Sequence, residues 1–385
     1  MRRLLVLVSV LVCVDTMLYA ALTPLLPHFT HELGLSKGQA GVLVAAYAAG
    51  ALVGGLPGGF ATVKLGAQRA VLVGLTLMAL SSIGFAFANE FWTLFGARFL
   101  QGMGSGFTWA GAMSWLLAAT PRDRRGEYIG TAMGAAVFGA LFGPVIGAAA
   151  AIVGRAVIFV ALSGLSVVLG AWALRIHDAP AEEPSLPAMW AALRNRTFLE
   201  GIGFMALPAL LFGIIALLGP LHLADATWGA AAIGAVWLVN AALETAVSPI
   251  VGRLVDRRGN LYPVRISLVA GTVVSLLLAF GGRPLVYVPL VVLASIAYGM
   301  LFTPAFTLLA DGAEAVGLAQ GMAFGLMNAA WATGALVGPA VAGVIADATG
   351  DAIPFLIAAV LCAGAFVVVR PRAARETAQV RAAKL

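Results

Sequence analysis

Long apolar runs, each of roughly twenty residues, dominate the chain and are separated by short turns marked by glycine, proline or charge. About twenty consecutive apolar residues are enough for a helix to cross a bilayer. The runs predict twelve membrane helices, over residues 4–26, 38–61, 70–88, 91–119, 127–152, 156–175, 198–221, 228–250, 262–280, 285–309, 318–346 and 352–369. One connection is long. From Arg175 to Arg196 it holds three prolines, three acids and three arginines, the composition of a cytoplasmic linker with a short interfacial helix at Met189–Arg194. The expected organisation is a six-helix bundle over 1–175, a linker over 176–197, a second bundle over 198–370 and a polar, mobile cytoplasmic tail over 371–385. The fold class is thus an all-α integral membrane protein, twelve transmembrane helices in two pseudo-symmetric bundles. The first run begins like a signal peptide, but it is too long, contains Asp15 and ends Leu-Thr-Pro-Leu-Leu-Pro without a cleavage site. It is read as a retained span.

Composition agrees: 61% of the 385 residues are hydrophobic and 10% charged, against about 45–50% and about 25% in soluble domains. The 46 glycines let membrane helices approach closely. The net charge of +6 does not indicate nucleic acid, because nineteen of the 23 Lys and Arg fall on one side of the expected spans. Only Lys37, Arg155 and Arg283 lie opposite, and Arg98 lies within the membrane. That bias predicts a multi-pass cell-membrane protein with both termini in the cytoplasm. Cys13 and Cys362 read as buried free thiols. Lys37, Lys64 and Lys384 are the only lysines, and none follows a phosphate-binding glycine pattern, so ATP hydrolysis is unsupported. His28, His31 and Glu32 lack the second His of a zinc-protease helix and read as a solvated loop. No nucleophile–base or metal-ligand set lies within the spans; neither enzyme nor cofactor is implied.

Charge inside the spans narrows the function. Asp15 is the only charged residue between Arg3 and His28. An acid at the bilayer centre costs roughly 2.5–3.5 kcal/mol on insertion scales, so it needs a partner or a watered cavity. Arg98 is the matching base, and the two are expected to meet. Asp15 is either a proton site or a structural acid; Arg98 either serves that acid or bonds helix-end carbonyls. Arg98, Gln101, Ser105 and Trp109 fall on one helical stripe, read as facing a cavity. Glu244, with Asn240 and Ser248 at helical spacing, is either a second proton or cation site or a packing and gate residue. Tyr19, Trp109, Phe138, Phe142, Trp237, Phe302, Asn328 and Trp331 are candidates to line an apolar cavity for lipophilic cations.

The two halves repeat each other. Gly59–Gly66 and Gly252–Gly259 are glycine intervals of the same length, 193 residues apart. Gly139, Gly143 and Pro144 are echoed by Gly334, Gly338 and Pro339 at an offset of 195, and Gly147 by Gly343 and Pro24 by Pro220 at 196. Parallel repeats with a site between them are a transporter plan.

At these residues the sequence resembles the major facilitator superfamily, specifically its twelve-span drug–proton antiporter branch. The loop motif is complete in its charged core at Gly252, Asp256, Arg257 and Gly259, and degraded in the first copy, where Val63 replaces an acid. The fourth-span motif is Arg98, Gln101, Gly102 and Gly104; the antiporter motif is Gly139, Gly143, Pro144 and Gly147; Asp15 with Pro24 and Pro27 matches the first span. The resemblance implies a gating role for Asp256 and Arg257 and a rocking hinge at Gly143–Pro144, echoed at Gly338–Pro339. The expected function is proton-coupled export of small lipophilic molecules, cations among them, by a monomer in the lipid bilayer. Export of a native metabolite, and a lipid-moving or receptor role, remain the alternatives.

Overall fold

The computed structural model describes residues 2–121, 124–177, 185–318 and 320–382, the side chains of 56, 63, 125–127, 320–321 and 370–382 excepted. The consequence of Val63 in the first loop, linker residues 178–184 and the tail side chains therefore lie outside the described residues.

The helices are α1 Arg2–Ala20, α2 Leu26–Glu32, α3 Lys37–Leu65, α4 Ala67–Phe87, α5 Phe91–Ala119, α6 Arg125–Val153 and α7 Arg155–Ala173 in the first half. The linker holds α8 Leu186–Ala192. The second half has α9 Arg196–Asp225, α10 Ala230–Arg258, α11 Leu261–Phe280, α12 Pro284–Gly299, α13 Phe302–Ala315, α14 Gln320–Thr349 and α15 Ala352–Ala382.

Two expected spans are interrupted. α1 stops at Ala20 and α2 resumes at Leu26 after a 3₁₀ turn, Thr23–Leu25. Pro24 and Pro27 each lack an N–H, and Pro27 sits in the first turn of α2, where none is needed. The tenth span breaks between Gly299 and Phe302, just ahead of Pro304, which removes a backbone donor and disfavours helix in the residue before it. The linker helix starts earlier than expected because Ser185 caps it, accepting from the Ala188 amide at 3.3 Å. α15 continues to Ala382, so residues 371–382 of the expected tail are helical.

Among the described residues, eleven stretches are long and apolar enough to cross a membrane. α5 is the exception, long enough at 29 residues but carrying Arg98, Gln101, Ser105 and Trp109. It is held between α3 and α4 by backbone-close glycines: a methyl on Gly102 would overlap the Tyr47 carbonyl, and one on Gly104 would stand 2.8 Å from the Gly74 carbonyl.

The pseudo-symmetry is carried by small residues. Gly139, Gly143 and Gly147 seat α6 on α1 against Cys13, Ala20 and Ala21; Gly334 and Gly338 seat α14 on α9 against Ala206 and Leu210. Pro144 and Pro339 lie within these helices without breaking them.

The two halves meet along α3–α14 and α6–α10, at the end away from the linker. There Asp347 of α14 caps α3 across the seam, accepting from the Lys37 amide at 2.8 Å and the Gly38 amide at 2.7 Å. The Lys37 ammonium pairs with Asp351 at 2.5 Å, and Ser36 and Gln39 complete a capping box from α3's own side. Gly41 packs on the Pro339 carbonyl, Gly343 on the Lys37 carbonyl, and Gly234 of α10 lies 3.1 Å from the Pro144 carbonyl for an added methyl. Ala48 meets Ala335, and Tyr47 and Ala51 meet Ala332. Gly55 and Gly59 continue the same stripe of α3 toward the linker end, and Gly325 that of α14. Among the described residues nothing lies within 4 Å of a methyl placed on any of these three. The seam is shut at the far end and parted at the linker end.

Candidate functional site

α1, α3 and α5 converge on Asp15, which is 1% exposed. Its Oδ2 accepts from Trp109 Nε1 at 2.7 Å, the Ser105 hydroxyl at 2.8 Å and the Tyr47 hydroxyl at 3.0 Å. The two hydroxyls are 2.8 Å apart. Oδ1 is buried without a partner.

Arg98 does not pair with this carboxylate, contrary to the expectation that the two charges meet. Its guanidinium donates to the Leu18 and Tyr19 carbonyls, both at 3.1 Å, and to Gln101 Oε1 at 2.5 Å, leaving Nε without a partner. The reason lies in α1, whose helix ends at Ala20 ahead of the proline turn, so its last carbonyls lack intrahelical donors. The fork of the guanidinium meets that need. Tyr47 stands between the charges, its hydroxyl on Asp15 and its ring 5.1 Å from the guanidinium carbon. The α5 stripe expected to face a cavity is therefore packed inside the first half: Arg98, Gln101 and Ser105 are buried and Trp109 half-buried.

Tyr19, one turn beyond Asp15, reaches the seam. Its ring lies 4.9 Å from Tyr47 and 5.3 Å, edge-on, from Trp331 of α14. Asn328 is half-buried one turn from Trp331. Asp15, Tyr47, Tyr19 and Trp331 thus form one continuous contact from the buried acid to the other half.

In the second half, Trp237, Asn240 and Glu244 share a face of α10. Asn240 is 4% exposed, and neither amide atom has a partner among the described residues. The Glu244 side chain lies against Gly299, at the break of the tenth span. Phe302, beyond that break, stacks on Phe212 at 5.9 Å.

Phe138 and Phe142 are not brought to this centre. They stack on each other at 4.4 Å and are 53% and 38% exposed. At 100° per residue they lie away from both the α1 contact of Gly139, Gly143 and Gly147 and the α10 contact of Pro144. That is the side a bilayer covers. The loop motif closes α10: Gly259 holds φ +79°, which a side chain disfavours, and Arg257 lies in the last turn, favourable for a cation. Asp256 and Arg257 are exposed, and Asp256 has no partner among the described residues, as the parted linker end requires. Gly252 meets nothing within 4 Å.

Sequence reasoning missed Tyr47 and the cross-seam cap. Tyr47 sits alone in an Ala-Ala-Tyr-Ala-Ala run, and its role depends on two other helices. Lys37, Asp347 and Asp351 read only as loop charges until the seam brings them together.

Two parallel six-span bundles, sealed at one end and enclosing intramembrane acids, define a membrane transporter. The chain belongs to the Major Facilitator Superfamily, whose family model matches residues 8–322. It is 27% identical over 263 residues to an uncharacterized MFS-type transporter of Yersinia pestis (strain Pestoides F). It is 24% identical over 262 residues to the uncharacterized MFS-type transporter YcaD of Escherichia coli O139:H28. Each alignment covers 66% of this chain and 66% of the relative, a little under two thirds of its length. A probable vesicular acetylcholine transporter-B of Danio rerio is 35% identical over 156 residues, 38% of this chain and 31% of that protein. In fold, the nucleoside transporter NupG (D323A mutant) superposes with a TM-score of 0.74 at 16% identity, covering 95% of this chain and 99% of that one. The xylose transporter XylE of E. coli, in a partially occluded inward open conformation, gives 0.74 at 12% identity over 94% and 98%.

Proposed function

We propose that this transporter is a proton-coupled exporter of small lipophilic, positively charged molecules, with Asp15 as the proton carrier. The observation that carries the reading is a buried mid-membrane carboxylate held by three neutral donors on one oxygen, with the other oxygen free. Arg98 is committed to backbone carbonyls, so no fixed ion pair locks Asp15 in its charged form. When Oδ1 takes a proton, Oδ2 loses acceptor strength and its grip on Tyr47 weakens. Tyr47 lies on α3 at the seam and touches Tyr19, which touches Trp331. Protonation therefore biases the packing between the halves, and only such a difference between states can couple a proton to transport.

The distribution of Lys and Arg supports cytoplasmic termini, which makes the closed end the outer one and this conformation inward-facing. One-for-one exchange of a proton for a monovalent cation moves no net charge, so the drive is the pH difference alone, about 1.4 kcal/mol, or a tenfold substrate gradient, per pH unit. A cationic substrate is supported by the acid on α10, by aromatic rather than hydroxyl-rich walls, and by the Danio rerio relative, whose name specifies acetylcholine.

The test is flux of a lipophilic cation in proteoliposomes under an imposed pH gradient, with Asp15→Asn beside the unaltered protein. Loss of gradient-driven exchange, with facilitated equilibration retained, is the expected result. An Asp15→Asn variant that still concentrates the cation in response to the gradient overturns the reading.

A further inference from the structure

Buried polar atoms are nearly always partnered, and leaving one without a partner costs roughly 1–3 kcal/mol. Asn240 breaks that rule twice, with neither its oxygen nor its nitrogen satisfied. One turn along the same face, nothing among the described residues donates a hydrogen bond to the Glu244 carboxylate, and it forms no ion pair. Asp15 presents the opposite case: its engaged oxygen already has three donors, leaving little capacity for a substrate cation. A carboxylate and a free carboxamide at i and i+4, with side-chain roots ~5–6 Å apart, form an unfilled recognition pair in the second half.

The chemistry of the pair limits what fills it. Glu244 and Asn240 Oδ1 both accept, so they call for a positive group that carries N–H. Asn240 Nδ2 donates, so it calls for an oxygen nearby. A metal ion fits poorly: two side chains supply too few oxygens for a hard cation, which takes about six or more, and no group of three His, Cys, Asp or Glu that could hold a metal occurs among the described residues. Resting on the export reading, and naming the substrate class it leaves open, we propose that the Asn240–Glu244 face of α10 binds a protonated amine bearing an oxygen about two carbons away, as in a 1,2-amino alcohol. Trp237, one turn before Asn240, adds an aromatic wall able to face a cation.

Gly299 is the positioning residue. A methyl there would stand 2.7 Å from Glu244 Cγ and 2.9 Å from Oε1, so the carboxylate occupies its place only because α12 ends in glycine. Glu244 is thereby aimed at the break of the tenth span rather than along α10.

The probes are 2-amino-1-phenylethanol, phenethylamine (no hydroxyl) and 1-phenylethane-1,2-diol (no amine). Equilibrium binding to the purified full-length protein is followed by intrinsic tryptophan fluorescence. The amino alcohol is expected to bind tightest. Glu244→Gln should weaken both amines about tenfold, to the level of the diol. Asn240→Leu should erase the preference for amino alcohol over phenethylamine, and Gly299→Ala should lower amine affinity while keeping every charge. Because Glu244→Gln acts from α10 and Gly299→Ala from α12, agreement between them separates a displaced carboxylate from a misfolded variant. Three results overturn the proposal: unchanged amine binding in Glu244→Gln, equal binding of all three probes, or displacement of the amine by millimolar sodium at constant ionic strength. Amine binding lost in Glu244→Gln while Asp15→Asn still pumps would leave this site standing and remove the proton assignment. Unchanged amine binding with a non-pumping Asp15→Asn would do the reverse.

Discussion

The two halves each place one acid within a membrane span, Asp15 buried and Glu244 half-buried, and they treat it differently. In the first half Asp15 is held on one oxygen only, with Tyr47, Ser105 and Trp109 around Oδ2, Oδ1 unpartnered among the described residues and Arg98 set aside on the end of α1. In the second half both Asn240 amide atoms are unpartnered among the described residues, half-buried Glu244 lies against Gly299, and the helix there is broken. Helix packing is shared, since the same glycine stripe joins α6 to α1 and α14 to α9. The contrast teaches that repetition preserves the scaffold while polar chemistry diverges: one acid is gripped on one oxygen by three side-chain donors, the other stands one turn from an unpartnered carboxamide.

The largest effect is expected from disturbing what the halves share. Gly139→Leu or Gly334→Leu forces a side chain into a neighbouring backbone carbonyl, and overpacking of this kind costs typically 1–3 kcal/mol or more. Both should lower the melting temperature of purified protein and abolish transport to a similar degree. Strongly unequal losses would break the symmetry. Next comes Arg98→Lys, which keeps the charge but loses the fork over Leu18, Tyr19 and Gln101. Hydrogen bonds to charged groups contribute about 1.5–3 kcal/mol, so thermal stability should fall. An unchanged melting temperature would return Arg98 to service of Asp15 alone. Asp347→Asn weakens the cross-seam cap by about 0.5–2 kcal/mol. It should raise labelling of Ala335→Cys by an impermeant maleimide added from the far end several-fold, the rate reporting how often the seam opens. The smallest effect is expected for Phe138→Ala and Phe142→Ala. As exposed residues on the bilayer side they should leave substrate affinity unchanged, whereas Tyr19→Ala and Trp331→Ala should lower it.

Apolar runs and turn residues made the twelve spans legible, because a bilayer enforces helices long enough to cross it. The repeat was legible too, since close backbone contact demands glycine at fixed offsets. The internal breaks were harder to foresee: Pro24, Pro27 and Pro304 interrupt spans, whereas Pro144 and Pro339 sit inside intact helices. Their surroundings, not their identity, decide. Asp15, Arg98 and Glu244 stood out as charges in apolar runs, but their partners did not. Whether Arg98 turns to a carboxylate or to helix-end carbonyls depends on where α1 stops. Phe138 was placed in the lining because aromatic character carries no direction, and the face it occupies follows from which neighbours Gly139 and Pro144 touch.

The grip of Asp347 on α3 falls on main-chain amides, not on side chains. Any residue but proline at 37 supplies the same N–H, so exchanging Lys37 removes its bond to Asp351 and leaves that clasp whole, whereas a methyl on Gly38 would stand 2.8 Å from the Asp347 carboxylate. Mutational drift at 37 is thereby largely silent for the clasp, whose acceptor comes from α14. A designer seeking a variant that springs open more readily has a single handle there, and every change made to it alters the resting poise without touching either acid at the centre.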